Sequence, residues 1–124
     1  MKLQPDSSNV QTISGYGPGW VGIQGERIQH SVVVGARGER FDWDCPRFEA
    51  LSEAHFEQLA ALQPELVVFG SGSRLRFAPP RLQRALMERR IGLETMDTLA
   101  ACRTYNILAG EGRHVVVALL IEAA

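Results

Sequence analysis

The residues best equipped for chemistry gather in two short segments. Gly70-Ser71-Gly72 follows the apolar run Leu66-Val67-Val68-Phe69, and Met96-Asp97-Thr98 follows Leu93-Glu94-Thr95. Glycine permits close backbone approach, Ser71 and Thr98 offer hydroxyls, and Asp97 offers a carboxylate that a helix start keeps ionised. Arg103, Thr104 and Asn106 come next on a segment more polar than a core helix and poorer in Glu and Lys than a solvated one. Arg103 is positioned either to pair with Asp97, so that losing one partner strands the other, or to reach an anion held at the loop. Backbone donors, two hydroxyls and one cation are the parts of an oxyanion or phosphate site. They are also the parts of an ordinary tight turn and an ordinary helix cap. The candidate ligand or partner site is therefore Gly70, Ser71, Gly72, Met96, Asp97, Thr98, Arg103, Thr104 and Asn106, with no catalytic residue assigned.

Other chemical readings are weaker. Cys102 stands near a helix start beside Arg103, an arrangement that lowers a thiol pKa, yet it follows two alanines and reads as a small core filler. His30, His55 and His114 lack partners at metal-ligand spacing, so no metal site is expected. Gly17-Pro18-Gly19-Trp20-Val21-Gly22 matches the dinucleotide pattern of glycines, but the sequence after it is strand-like and glycine-rich where the fingerprint needs a helix. No cofactor is implied. Glu111 and Arg113 flank Gly112 as an exposed turn pair.

The elements that must position these residues can be read from the pattern. Ile13, Val21, Ile23 and Ile28 among glycines predict short antiparallel strands. Ser31 to Val34 and Arg40 to Trp43, joined by Gly35-Ala36-Arg37-Gly38, predict a hairpin, so the first third is a β meander. Ser52 caps a helix carrying Phe56, Leu59 and Leu62, which Pro64 stops. Leu66 to Phe69 is a strand buried on both faces. Pro79-Pro80 open a second helix that Gly92 caps, with Arg81, Arg84 and Arg90 off its apolar face. Leu93 to Met96 is a strand, Asp97 or Thr98 caps a helix to about Ala109, and His114 to Ile121 closes as a strand. The second half is thus a β-α-β-α-β unit whose first two strands are parallel neighbours, the direction of the last being open. In such sheets ligands collect beyond the carboxyl ends of the strands, where the two candidate loops lie side by side.

The chain of 124 residues fits one α/β domain over 1–124, with 1–11 frayed. Its hydrophobic content of 45% and charged content of 22% suffice for a core without staples. The net charge of −1 lacks the cation excess of general nucleic-acid binders, although the half after residue 64 is mildly basic. Two cysteines far apart favour a reducing compartment. No apolar run is long enough to insert into a membrane, and the N-terminus shows neither an apolar signal core nor an Arg-rich amphipathic stretch. A cytoplasmic protein is expected.

The stretch from Gly92 to Leu108, with Glu111-Gly112-Arg113, resembles the signature of the Mth938-like family, and Leu66 to Gly72 resembles that family's strand ending in a Gly-Ser-Gly turn. The likeness is specific over about 64–121 and looser before it. It implies a three-layer α/β fold with a mixed central sheet. It implies little chemistry: relatives include a mitochondrial factor assisting respiratory complex I assembly through partner proteins, and a cytosolic protein associated with adipocyte differentiation. Two functions remain open, a non-catalytic protein-binding or assembly module and a small-anion binder or enzyme.

Overall fold

The computed structural model describes residues 10–123. Strands β1 (Ile13–Gly17), β2 (Trp20–Ile23) and β3 (Glu26–Ile28) form one antiparallel sheet. Strands β4 (Val32–Gly35), β5 (Arg40–Asp42), β6 (Leu66–Gly70), β7 (Gly92–Met96) and β8 (Val115–Leu119) form a second, in the order β5-β4-β8-β6-β7. The helices are α1 (Glu53–Ala60), α2 (Arg84–Glu88) and α3 (Thr98–Gly110), with 3-10 turns at Phe48–Ala50 and Pro80–Gln83.

The last strand, open from sequence, runs parallel to β6 and antiparallel to β4. It therefore sits at the centre of a mixed sheet. Its residues and those of β6 alternate between two cores: Val67, Phe69, Val116 and Ala118 face Phe56, Leu59 and Leu86, while Val68, Val115, Val117 and Leu119 face Ala101, Cys102 and Tyr105. Burial on both faces explains why these strands read as unbroken apolar runs. The connections β6-α2-β7 and β7-α3-β8 run in opposite directions along the sheet, and right-handed crossovers then require α2 and α3 on opposite faces. They occupy opposite faces, which makes three layers.

The meander divides. Only β1–β3 form a separate layer, its Val21, Ile23 and Ile28 sharing the core with α3, whereas the β4–β5 hairpin extends the main sheet through β8. Every residue of β4 is buried, so it needs apolar neighbours on both faces, which an edge meander cannot supply. Val10 and Gln11, within the segment expected to fray, join the packing. Val10 lies against the core, and the Gln11 carbonyl accepts the Tyr105 hydroxyl proton. The rest of that segment, 1–9, lies outside the described residues.

Ser52 caps α1 as expected, its N–H donating to His55 Nδ1 at 3.0 Å while His55 Nε2 donates to the Asp44 carbonyl at 2.6 Å. The second helix is shorter than the sequence predicts, and Gly92 is not its cap. Gly92 begins β7, paired with Leu66, so the closing residue must come earlier. Arg90 takes that role at φ 56°: Ile91 N–H bonds the Leu86 carbonyl at 2.9 Å and Arg90 N–H the Met87 carbonyl at 3.1 Å, a Schellman closure. Among the described residues no helix is long and apolar enough to cross a membrane.

A side chain in the left-handed region is strained where glycine is not. Arg90→Gly should therefore raise stability by ~0.5–1 kcal/mol after glycine's unfolded-state entropy is deducted. The urea midpoint measures it; a midpoint at or below wild type would show that the Arg90 side chain contributes contacts outweighing the strain.

Candidate functional site

The parallel register sets Gly70 opposite Met96, so the two strand-end loops share a rim. Gly70 is dictated by approach: a Cβ there would stand 3.0 Å from Thr98 Cα and 3.1 Å from both Ala101 Cβ and Leu119 Cδ2. Gly72 is dictated by conformation, at φ 103°. Between them Ser71 is wholly buried. Its N–H donates to the Met96 carbonyl at 2.8 Å. Its hydroxyl lies 2.8 Å from the Arg74 carbonyl and accepts Arg76 N–H at 2.9 Å.

Thr98 is the junction. Its Oγ1 accepts Gly72 N–H at 2.9 Å and donates to the Leu120 carbonyl at 2.8 Å, while its own N–H donates to the Gly72 carbonyl at 2.8 Å. Asp97 is the helix cap, Oδ1 accepting Ala100 N–H at 2.9 Å. The donors that would hold an anion here are thus engaged within the chain. Gly72 N–H and Thr98 N–H bond each other's residues, and a carboxylate already occupies the helix start.

The residues farther along α3 separate from the rim. No Asp97–Arg103 ion pair forms among the described residues. Arg103 is exposed, and a hydrogen bond to the Tyr16 hydroxyl is the main cause holding its pKa above the ordinary value. Spacing allowed the Asp97 pair, but the carboxylate turns toward the Ala100 amide instead. Asn106 lies about 12 Å along the helix from Thr98. Its side chain brackets the Ile13 backbone, accepting N–H at 3.1 Å and donating to the carbonyl at 2.8 Å. Thr104 is half-buried. Cys102 is fully buried, and desolvation pushes its thiol up to about 12; burial likewise lifts Cys45 to about 11. Neither is an activated nucleophile. Among the described residues no cluster of three or more His, Cys, Asp or Glu side chains could hold a metal.

A cleft of about 540 Å³ opens beside the rim, between Gly72, Asp97 and Thr98, the Gly17–Trp20 turn, and the chain after β8. The glycine motif discounted as a dinucleotide site is here a hairpin turn, with Gly17 paired to Trp20 and Gly19 at φ 76°. The charged side chains among the described lining are Asp97 and Glu122, both acidic.

Sequence reasoning did not reach Arg76 and Glu122. Arg76 Nη2 lies 2.6 Å from Glu122 Oε1 and 2.7 Å from the Ser71 carbonyl, its guanidinium 4.6 Å over the Phe48 ring. Glu122 Oε2 accepts Phe48 N–H at 2.8 Å. This clasp joins residues 46 and 74 positions apart, and no local spacing announces it.

Two substitutions separate structural from functional groups. Thr98→Val keeps the shape but strands Gly72 N–H and the Leu120 carbonyl, and should cost about 2–4 kcal/mol. Arg103→Ala should leave the denaturation midpoint unchanged. An unchanged midpoint for Thr98→Val in urea titration would mean the junction is solvated rather than buried. The thiols give a second check. Both should resist iodoacetamide in the folded protein at pH 8 and react on unfolding. Because folding raises their pKa above the ordinary 9.0, their contribution is full below pH 9 and declines toward pH 12. Rapid native alkylation would contradict their burial.

Comparison with known proteins then places the chain. A family model described as "Protein of unknown function (DUF498/DUF598)" matches residues 13–120. The Bos taurus NADH dehydrogenase (ubiquinone) 1 alpha subcomplex assembly factor 3 is 30% identical over 120 residues, which are 95% of this chain and 65% of that protein. The chain thus spans about 65% of that relative's length. A Bordetella parapertussis crystal structure superimposes with TM-score 0.86 at 37% identity, covering 91% of this chain and 97% of that one. A Bordetella pertussis protein described as a Mth938-like domain gives TM-score 0.83 at 31% identity, covering 99% and 94%. Family match, relative and superpositions agree, and the chain belongs to the Mth938-like family of proteins of unknown function.

Proposed function

We propose that this protein is a non-catalytic accessory module that acts in the cytoplasm by binding another protein. One observation carries the reading: where an open α/β sheet usually performs chemistry, Ser71, Asp97 and Thr98 have their hydrogen bonds directed into the fold. Resemblance to an assembly factor over 95% of the chain supports a protein partner. Free, buried Cys45 and Cys102 suit a reducing compartment.

The competing reading, a small-anion site or enzyme on Gly70–Gly72 and Asp97–Arg103, has less support. Its donors are engaged, its one cation points to Tyr16, and the unpaired charge lining the neighbouring cleft is the Asp97 carboxylate. Among the described residues that line this rim and its cleft there is no cysteine, histidine or lysine.

Two measurements together test the proposal. Low-salt affinity purification from the native source should recover one near-stoichiometric partner. A thermal-shift panel of phosphates, carboxylates and nucleotides should leave Tm unchanged, although a true ligand at ~100 times its Kd would add about 2.7 kcal/mol. A compound that stabilises the chain, with no partner recovered, would overturn the reading.

A further inference from the structure

The segment Ser73 to Arg90 holds six arginines, Arg74, Arg76, Arg81, Arg84, Arg89 and Arg90, against the single acid Glu88, in a chain whose net charge is −1. Arg76 is consumed by its pair with Glu122, and Arg89 reaches the Ala60 carbonyl at 3.1 Å. Arg74, Arg81, Arg84 and Arg90 are exposed and make no ion pair among the described residues.

The same segment exposes its largest apolar side chains: Phe77 is 69%, Met87 62% and Leu75 52% exposed. Large apolar groups concentrated on one short surface segment mark interaction sites more often than scattered ones do. The segment is also held rigid. Arg76 fastens one end to Ser71 and Glu122; Gln83 Nε2 bonds the Ala78 carbonyl at 2.9 Å, and Leu82 N–H the Pro79 carbonyl at 3.0 Å, at the other. A backbone tied down in this way loses little entropy when a partner arrives.

We propose that the face formed by this segment, with Leu75, Phe77, Arg81, Arg84 and Met87 exposed along it, docks an acidic and partly apolar segment of a partner polypeptide. The proposal rests on the protein-binding reading and names the partner's chemistry. Charge complementarity selects acid. Every cation on the face is arginine, whose planar fork pairs carboxylates bidentately, and arginine, phenylalanine and methionine are the types enriched at interface centres. An anionic lipid surface is the other class of occupant, and one feature favours a polypeptide over it: Pro80, Arg81, Arg84, Met87 and Glu88 line a shallow, open groove of about 420 Å³ in which a single side chain can seat.

The test compares the full chain with Arg81→Glu/Arg84→Glu and with Leu75→Ser/Phe77→Ser, after circular dichroism and Tm confirm that all remain folded. The probes are a fluorescein-labelled helical peptide of Glu, Leu and Phe, a peptide of Glu and Ser alone, and vesicles of phosphatidylglycerol or phosphatidylcholine. Expected are binding of the Glu-Leu-Phe peptide at low salt, at least tenfold weakening by either double substitution and by raised salt, and poor binding of the Glu-Ser peptide. Binding of vesicles but not peptide overturns the proposal in favour of lipid, and peptide binding indifferent to both variants overturns it as well. Affinity purification with the charge-reversed chain distinguishes this failure from that of the broader reading. A partner captured equally by wild type and Arg81→Glu/Arg84→Glu leaves protein binding standing and removes this face. A partner lost with charge reversal and cross-linked to the face through an acidic segment supports it. If no partner is captured and no peptide bound, both fall.

Discussion

Three chain segments meet at one hydroxyl. The strand-end backbone of β6 and the chain leaving β8 each present a polar group where the sheet ladder stops, and a buried group left unpaired there costs about 1–3 kcal/mol. Thr98 Oγ1 satisfies both, one as acceptor and one as donor. It reaches them only because Gly70 lacks a Cβ, since any side chain would meet the Thr98 backbone and the Ala101 methyl. The placement of the third layer depends on this contact. With its first turn fixed against the sheet, α3 carries Tyr105 to the Gln11 carbonyl and Asn106 to Ile13, and these bonds hold the small β1–β3 sheet in place. That sheet is therefore anchored by α3 and by the core and the Arg40–Glu26 ion pair it shares with the main sheet, not by strand pairing.

The clasp of Arg76 with Glu122 repeats the logic one step outward. It lies across Gly72, where a Cβ would stand 2.5 Å from Arg76 Nη2 and 2.8 Å from Glu122 Oε1. The two glycines of the Gly-Ser-Gly turn thus admit two different neighbours, a helix on one side and an ion pair on the other. The side chains of the pair are 17% and 23% exposed, and each carboxylate oxygen has its own donor, so the charge is not left unsatisfied. The turn that looks like a ligand cradle in sequence is occupied by the protein itself.

The sequence disclosed elements through periodicity and caps. Leu66 to Phe69 read as a strand covered on both faces and the apolar run ending at Ile121 as a closing strand, while Ser52 and Asp97 stood where helices begin. Order within the sheet was less legible. Nothing local tells β8 to enter between β4 and β6, because that choice depends on the total apolar area each neighbour buries. Gly92 misled as a cap because a glycine before a strand and one after a helix look alike; the bond from Ile91 to Leu86 decides between them. Of the proposed site, Gly70, Ser71, Gly72, Met96, Asp97 and Thr98 come together as their parallel strands dictate. Arg103 and Asn106 share their helix but not their neighbourhood, since rotation and rise along α3 carry them to Tyr16 and Ile13. Arg76 and Glu122 were invisible for the opposite reason: they meet only after the whole sheet has formed.

The irregular segment between β6 and β7 then has a physical reason to differ from a plain crossover. Pro79-Pro80 delay the helix, a 3-10 turn replaces its first half, and α2 keeps five residues before Arg90 closes it. So short a helix covers the sheet with Leu86 alone fully buried, and Met87 is left pointing outward. Burying Phe77 and Leu75 as well would have been worth roughly 1.5–3 kcal/mol each, yet they stand exposed on a loop that Arg76 fastens from below. Rigid exposure beside unpaired arginines is the arrangement of a surface prepared for contact, which locates the proposed activity of this fold outside the strand-end rim where its polar groups first draw the eye.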